Sequence, residues 1–138
     1  MCELFEPSTF SYQPSERGRV QDFRRLSVWN KAYEFVLETY RVSRAFPKDE
    51  LFGLTSQLRR SVSSIGANIA EGCCKSGDRD FGRFLQIAAG SAGELEYHAV
   101  LAHDLGLLNP ADYQRLLEQA VEVKRMLSSL LKKLRADS

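Results

Sequence analysis

Residues 53–74 read GLTSQLRRSVSSIGANIAEGCC, and between Arg60 and Glu71 they carry no charge. The chain as a whole is 27% charged. Leu54, Leu58, Val62, Ile65 and Ile69 fall at intervals of 4, 4, 3 and 4, which is one face of an α-helix. The rest of Ser61–Ala70 is serine, alanine and glycine, with Asn68 among them. A helix that is neutral all round is usually buried all round. A small bundle needs only one apolar face per helix, so the stretch predicts a second packing surface outside the monomer. The alternative is a closely packed hairpin within one chain.

Working outward, the same periodicity sets the neighbouring elements. Gly72 suits the left-handed position that ends a helix, so this helix is expected from about Leu51 to Cys73. Upstream, Val28, Trp29, Ala32, Val36, Tyr40 and Ser43 recur at helical spacing, with Phe35 and Leu37 widening the stripe. Ser27 is the expected cap of that helix, and Pro47 stops it near Ala45. Downstream, Ser76-Gly77-Asp78 reads as a turn. A third helix follows to Leu105, with Phe81, Phe84, Leu85, Ala88, Ala92, Leu95, Ala99 and Ala102 as its apolar stripe and Gly106 as its end. Asp78 and Asp80 sit in its first turn, where acids are favoured. Its own small run, Ala88-Ala89-Gly90-Ser91-Ala92-Gly93, is the natural counterpart of Ser61–Ala70. Asn109-Pro110 starts a fourth helix, with a capping side chain and then proline at the first helical position. Its apolar residues, Tyr113, Leu116, Ala120, Val123, Leu127, Leu130 and Leu134, alternate 3 and 4 apart, the pattern of a bundle seam.

No segment reads as a strand. Four helices with short connections predict an all-α fold, an antiparallel up-down four-helix bundle over residues 23–138. Residues 1–22, with Pro7, Pro14, Gly18 and no sustained period, read as a flexible extension.

The chain has 138 residues, 19 basic and 18 acidic, for a net charge of +1. Bulk charge therefore selects no partner, and a nucleic-acid role would need local clustering. No apolar run is long enough to span a bilayer. The opening MCELFEPSTF has early acids and no apolar core, so no signal peptide is expected. Three cysteines, two of them adjacent at Cys73 and Cys74, form neither a disulfide framework nor a zinc spacing. These features predict a cytoplasmic protein.

Several blocks together resemble one family. They are LSVWNKA at 26–32, FPK at 46–48, GLTSQLRR at 53–60 and ANIAEG at 67–72, followed by Phe81, Arg83-Phe84-Leu85, Gly90-Ser91 and Glu94-Leu95-Glu96. The chain resembles the bacterial four-helix-bundle proteins encoded in intervening sequences of 23S ribosomal RNA genes, over about residues 23–135. The resemblance implies a homopentameric barrel. It also implies kinship with the accessory variability proteins of diversity-generating retroelements, which bind nucleic acid and a reverse transcriptase. The family has no firmly established molecular activity. This chain departs from it with Gly66 where proline is usual, with Cys73-Cys74 in place of an aromatic-glycine pair, and with small residues at Ala92 and Gly93.

The candidate chemistry is sparse. Di-iron bundles need Glu-x-x-His, but Leu95 and Val100 stand three residues before His98 and His103. Glu94 and His98 are placed to share a hydrogen bond. No metal or cofactor is expected. The hydroxyls of Thr55, Ser56, Ser61, Ser63 and Ser64 have no histidine nearby in sequence to activate them, so no enzyme is expected. Asn68 and Glu71, with Arg60 or Arg83, are expected to form a polar clamp that fixes helix register. Contacts to a ligand lining the oligomer are the alternative.

The basic residues cluster at Arg17-Arg19-Arg24-Arg25, Arg41-Arg44-Lys48, Arg59-Arg60, Lys75-Arg79-Arg83 and Lys124-Arg125-Lys132-Lys133-Arg135. In a symmetric oligomer each modest patch becomes a ring. Arg59, Arg60, Lys75, Arg79, Arg83, Lys124, Arg125, Lys132 and Lys133 are the candidate phosphate contacts. No aromatic platform of the single-strand-binding type is legible. The expected function is a non-enzymatic oligomeric scaffold for structured RNA or a ribonucleoprotein. Against it stand a protein–protein adaptor without nucleic-acid affinity and a small-molecule pocket at the bundle axis.

Overall fold

The computed structural model describes residues 22–137. Among them it contains four α-helices and no strand: α1 (Ser27–Ser43), α2 (Leu54–Cys73), α3 (Asp78–Asp104) and α4 (Pro110–Asp137). Short 3-10 turns, Phe23–Arg25 and Lys48–Glu50, precede α1 and α2. Apart from Asp22, the extension expected over residues 1–22 lies outside the described residues, as do Arg17 and Arg19.

The apolar stripes form one continuous core. Leu54, Leu58, Val62, Ile65 and Ile69 of α2 are all buried, as is every residue of the expected α3 stripe. In α4 the seam from Leu116 to Leu134 is buried, while Tyr113 at its head is half-buried. The face of α1 is rotated from the expected one. Its buried residues are Val28, Ala32, Phe35, Thr39, Val42 and Ser43. Tyr40 and Leu37 turn outward, Leu37 to 56% exposure. Val28, Ala32, Phe35, Thr39 and Val42 alternate 4 and 3 apart, a regular seam that passes through the polar Thr39.

The helix ends are set by local chemistry that differs in places from expectation. Leu26, not Ser27, holds the extended cap position of α1, and no side chain caps it. Asn30 instead donates back to the carbonyls of Arg24 at 2.8 Å and Leu26 at 3.1 Å. α2 begins at Leu54 rather than Leu51, because Glu50 Oε1 accepts the Leu54 amide hydrogen at 3.1 Å. Asn109 caps α4 as expected, its Oδ1 accepting from the Asp112 amide at 2.8 Å. Gly106 ends α3 with φ 80°. The Leu107 amide then reaches the Ala102 carbonyl at 2.9 Å, the wrap that satisfies a last helical turn.

Gly72 has a different role from the one expected. It lies inside α2, buried, and among the described residues only Gly106 has a positive φ. A Cβ at Gly72 would sit 2.9 Å from Phe81 Cδ1 and 3.0 Å from Phe84 Cβ. The glycine is a point of close approach between α2 and α3.

α2 packs most extensively on α3, α3 also on α4, and α1 bridges α2 and α4. Specific contacts give the register. Ser43, last in α1, accepts from Arg59 early in α2 at 2.8 Å, while Gly66 further along α2 faces Trp29 near the start of α1. Gly72 late in α2 meets Phe81 early in α3, and Ser64 meets Ser91. His103 late in α3 stacks on Tyr113 early in α4, with ring centroids 4.2 Å apart. Glu38 and Arg41 of α1 meet Arg115 and Asp112 of α4.

Candidate functional site

The uncharged middle of α2 is not buried on all sides within one chain. Gln57, Arg60, Ser63, Ala67 and Glu71 form an exposed stripe along its outer face. The middle of that stripe is two small side chains, with a cation before it and an acid after it. On α3, Gly90 is exposed, and a Cβ at Gly90 or Gly93 would meet nothing within 4 Å. Ile87, Tyr97, Val100 and Leu101 are also exposed on α3, Tyr97 to 64%, as is Leu105 just past its end. The small residues of α2 and α3 therefore divide into two sets. Gly72 and Ser61 are enclosed, while Ser63, Ala67, Gly90 and Gly93 leave an open surface.

The expected clamp of Asn68, Glu71 and an arginine is not assembled. Asn68 Nδ2 donates to Ser64 O at 2.8 Å and to Ser64 Oγ at 3.0 Å, both within α2. Since Ser64 Oγ accepts from Asn68, its own hydrogen is available to Ser91 Oγ, 2.8 Å away on α3. Asn68, Ser64 and Ser91 are thus the polar link between these helices. Glu71 is exposed, and Arg83 faces Asp80 at 3.9 Å instead. The clamp fails because Asn68 finds acceptors one turn back on its own helix, whereas Glu71 lies on the outer stripe.

Ion pairing sorts the basic candidates. Lys124 is paired with Glu96 across α3 and α4, and Arg125 with Glu122 at 2.9 Å. Each therefore has a carboxylate beside it, as Arg83 has in Asp80. Lys132 and Lys133 are exposed and have no acidic partner among the described residues. Lys75 and Arg83 come together over the Phe84 ring, at 5.3 and 4.7 Å from its centroid. Arg79 and Arg83 line a groove of about 840 Å³ floored by Gly82, Leu131 and Leu134, with Arg135, Asp78 and Asp80 on its walls. The acids in that groove dilute its positive character.

Arg59 and Arg60 stand apart from this group, at the other end of α2. The Arg59 guanidinium lies over the Tyr40 ring at 4.5 Å and donates from Nε to Ser43. Arg60 is exposed. Neither has a carboxylate partner among the described residues. They border a cleft of about 420 Å³ together with Tyr40, Leu51, Phe52, Thr55, Ser56 and Ser63. Phe52, absent from the candidate residues, is 94% exposed at the rim of that cleft. The signal for it is the apolar pair Leu51-Phe52, which sits ahead of the true helix start and outside the α2 stripe.

Other titratable groups are structural. The Arg41 hydrogen bond holds the Glu38 carboxyl below the usual range, against the opposing effect of burial and with Arg115 adding to it. Burial opposes ionisation of Asp112, but hydrogen bonds from Arg115 and Arg41 outweigh it and hold that carboxyl low as well. Burial, with Cys74 and Asp22 nearby, pushes the Cys73 thiol up to about 12, so it stays a thiol at neutral pH. His98 Nε2 is 3.8 Å from Glu94, too far for the expected hydrogen bond. Among the described residues no group of three or more His, Cys, Asp and Glu could hold a metal, and no helix is long and apolar enough to cross a membrane.

Comparison with known proteins places this geometry. The family model described as 23S rRNA-intervening sequence protein matches residues 24–129. Among solved structures, the chain is similar to a protein of unknown function from the S23 ribosomal protein family of Bacteroides thetaiotaomicron. The two are 28% identical with a TM-score of 0.71, over 76% of this chain and 98% of that one. No curated protein matches.

Proposed function

The chain belongs to the family of 23S rRNA-intervening sequence proteins, and from that premise we propose a non-enzymatic, oligomeric helical scaffold that binds structured RNA or a ribonucleoprotein. The single observation that carries the RNA reading is the Arg59–Arg60 pair, two cations beside a cleft with no acidic partner among the described residues. Lys132 and Lys133, and the Lys75–Arg79–Arg83 cluster, supply further positive charge. Guanidinium and ammonium groups of this kind hold backbone phosphates, with strong salt dependence and little sequence preference.

The scaffold itself is an antiparallel up-down bundle. Supporting this is the register of contacts, in which each helix meets its neighbour late-to-early: Ser43 with Arg59, Gly72 with Phe81, His103 with Tyr113. The assembly is a homo-oligomer, by family resemblance a pentameric barrel akin to the accessory variability proteins. The open surface of Ser63, Ala67, Gly90 and Gly93 supports a copy-to-copy contact, because interior helical glycines cost about 1 kcal/mol each and nothing among the described residues packs where a side chain at Gly90 or Gly93 would stand. The cytoplasm is the proposed location.

Fluorescence anisotropy with a labelled, structured ribosomal RNA fragment at several salt concentrations tests the RNA reading. Affinity should fall linearly in log–log form with salt. Arg60→Glu, which disturbs no packing, should weaken binding and reduce the slope by about 1 for each phosphate it no longer holds. Lys124→Glu, at an already paired cation, should change the slope less. Flat anisotropy at low salt would leave a protein–protein adaptor as the better reading, with the exposed apolar residues of α3 as its contact surface.

A further inference from the structure

The turn ahead of α2 carries a large aromatic side chain that nothing in the described chain covers. Phe52 is 94% exposed, and it walls the cleft that Arg59, Arg60 and Thr55 also line. Two kinds of unmet chemistry converge there. The first is the bare ring of Phe52. The second is positive charge: Arg59 uses its Nε on Ser43, its terminal nitrogens have no partner among the described residues, and Arg60 is likewise unpaired there. Glu50, the nearest acid in sequence, is occupied in capping the Leu54 amide.

These features discriminate among occupants. A purely apolar partner would leave two guanidinium groups unmet. A simple inorganic anion would leave Phe52 bare. An RNA duplex offers phosphates, but its bases are stacked on one another and present a free face only at the two ends. A flat aromatic group joined to a phosphate satisfies both at once. We propose that the cleft takes an unpaired nucleotide of an RNA, with its base stacked on Phe52 and its phosphate held by Arg59 and Arg60. This rests on the RNA reading above and adds that the RNA is single-stranded where α2 begins.

The test compares a labelled single-stranded oligouridylate with a blunt-ended RNA duplex of the same length, by anisotropy at fixed salt, using the wild type, Phe52→Ala and Phe52→Trp. Phe52 is almost wholly solvent-facing, so neither variant threatens the fold. Phe52→Ala should weaken oligouridylate binding about ten-fold or more while leaving duplex affinity unchanged. Phe52→Trp should keep the affinity, and its added emission, relative to the wild type with Trp29 alone, should be quenched by the oligouridylate. Light scattering should give the same particle mass for Phe52→Ala as for the wild type. If Phe52→Ala binds both RNAs as the wild type does, the stack is overturned while the RNA reading stands. If Phe52→Ala lowers the particle mass, Phe52 is a contact between copies of the chain and the nucleotide site is overturned. If the wild type binds neither RNA, the RNA reading falls and the site falls with it.

Discussion

Gly72 shows how one atom sets the distance between two helices. With Phe81 and Phe84 at 2.9 and 3.0 Å from where its Cβ would stand, a methyl group must displace a ring or the α3 backbone. Gly72→Ala gains helix propensity but overpacks the contact, which typically costs about 1–3 kcal/mol. Urea denaturation should therefore show a destabilised protein, and a more stable variant would contradict the close approach. The network of Glu38, Arg41, Asp112 and Arg115 makes a second prediction at this scale. Both carboxyls are held low in the folded state. Their contribution is complete above the unfolded carboxylate range near ~4, and is lost as pH falls through the folded values. Arg115→Gln should lower Tm at neutral pH, and the gap from the wild type should close as the pH is taken below that range. A gap independent of pH would mean that Arg115 acts through packing alone.

At the scale of the helix, the contrast among glycines is informative. Gly72 is enclosed, whereas Gly90 and Gly93 face open space in the single chain. For an isolated chain, Gly90→Ala with Gly93→Ala should stabilise α3 by about 1 kcal/mol per site. In the proposed assembly the same methyl groups would stand between copies. The expected outcome is a lower particle mass at equal concentration with the helical content retained. An unchanged mass together with raised stability would place the contact elsewhere. Elements whose apolar residues outnumber their polar ones at 3-4 spacing are legible from sequence, and the α2 and α3 stripes and the α4 seam beyond Tyr113 are buried as written. The α1 face is offset by about one position because Thr39 belongs to its buried seam, and periodicity reads a hydroxyl residue as polar. The start of α2 differs for a related reason. Its cap comes from Glu50, a side chain reaching forward from the preceding 3-10 turn, and nothing in the apolar pattern marks that.

For the whole molecule, the site is less legible than the fold, because charge clusters in a sequence do not reveal which charges are already paired. Lys124 and Arg125 look equivalent to Arg59 and Arg60 in the sequence, yet Glu96 and Glu122 stand beside them in the fold. The Lys124 pairing is set by how α3 and α4 face each other, which spacing along one helix cannot report. Phe52 has a sequence signal in the apolar pair Leu51-Phe52 outside the α2 stripe, but its exposure is a property of the packed chain. The neutral stretch bears on assembly instead. It predicts contact with a further copy, and within one chain its Ser63 and Ala67 are exposed, as is Gly90 of α3. The proposed scaffold requires that surface to be covered by further copies, which would turn each Arg59–Arg60 pair into part of a ring. The most direct test is the solution mass of the purified full-length protein by light scattering across a range of concentrations. The expected result is a single species several times heavier than the 15.6 kDa chain. A stable 15.6 kDa monomer at every concentration would contradict it.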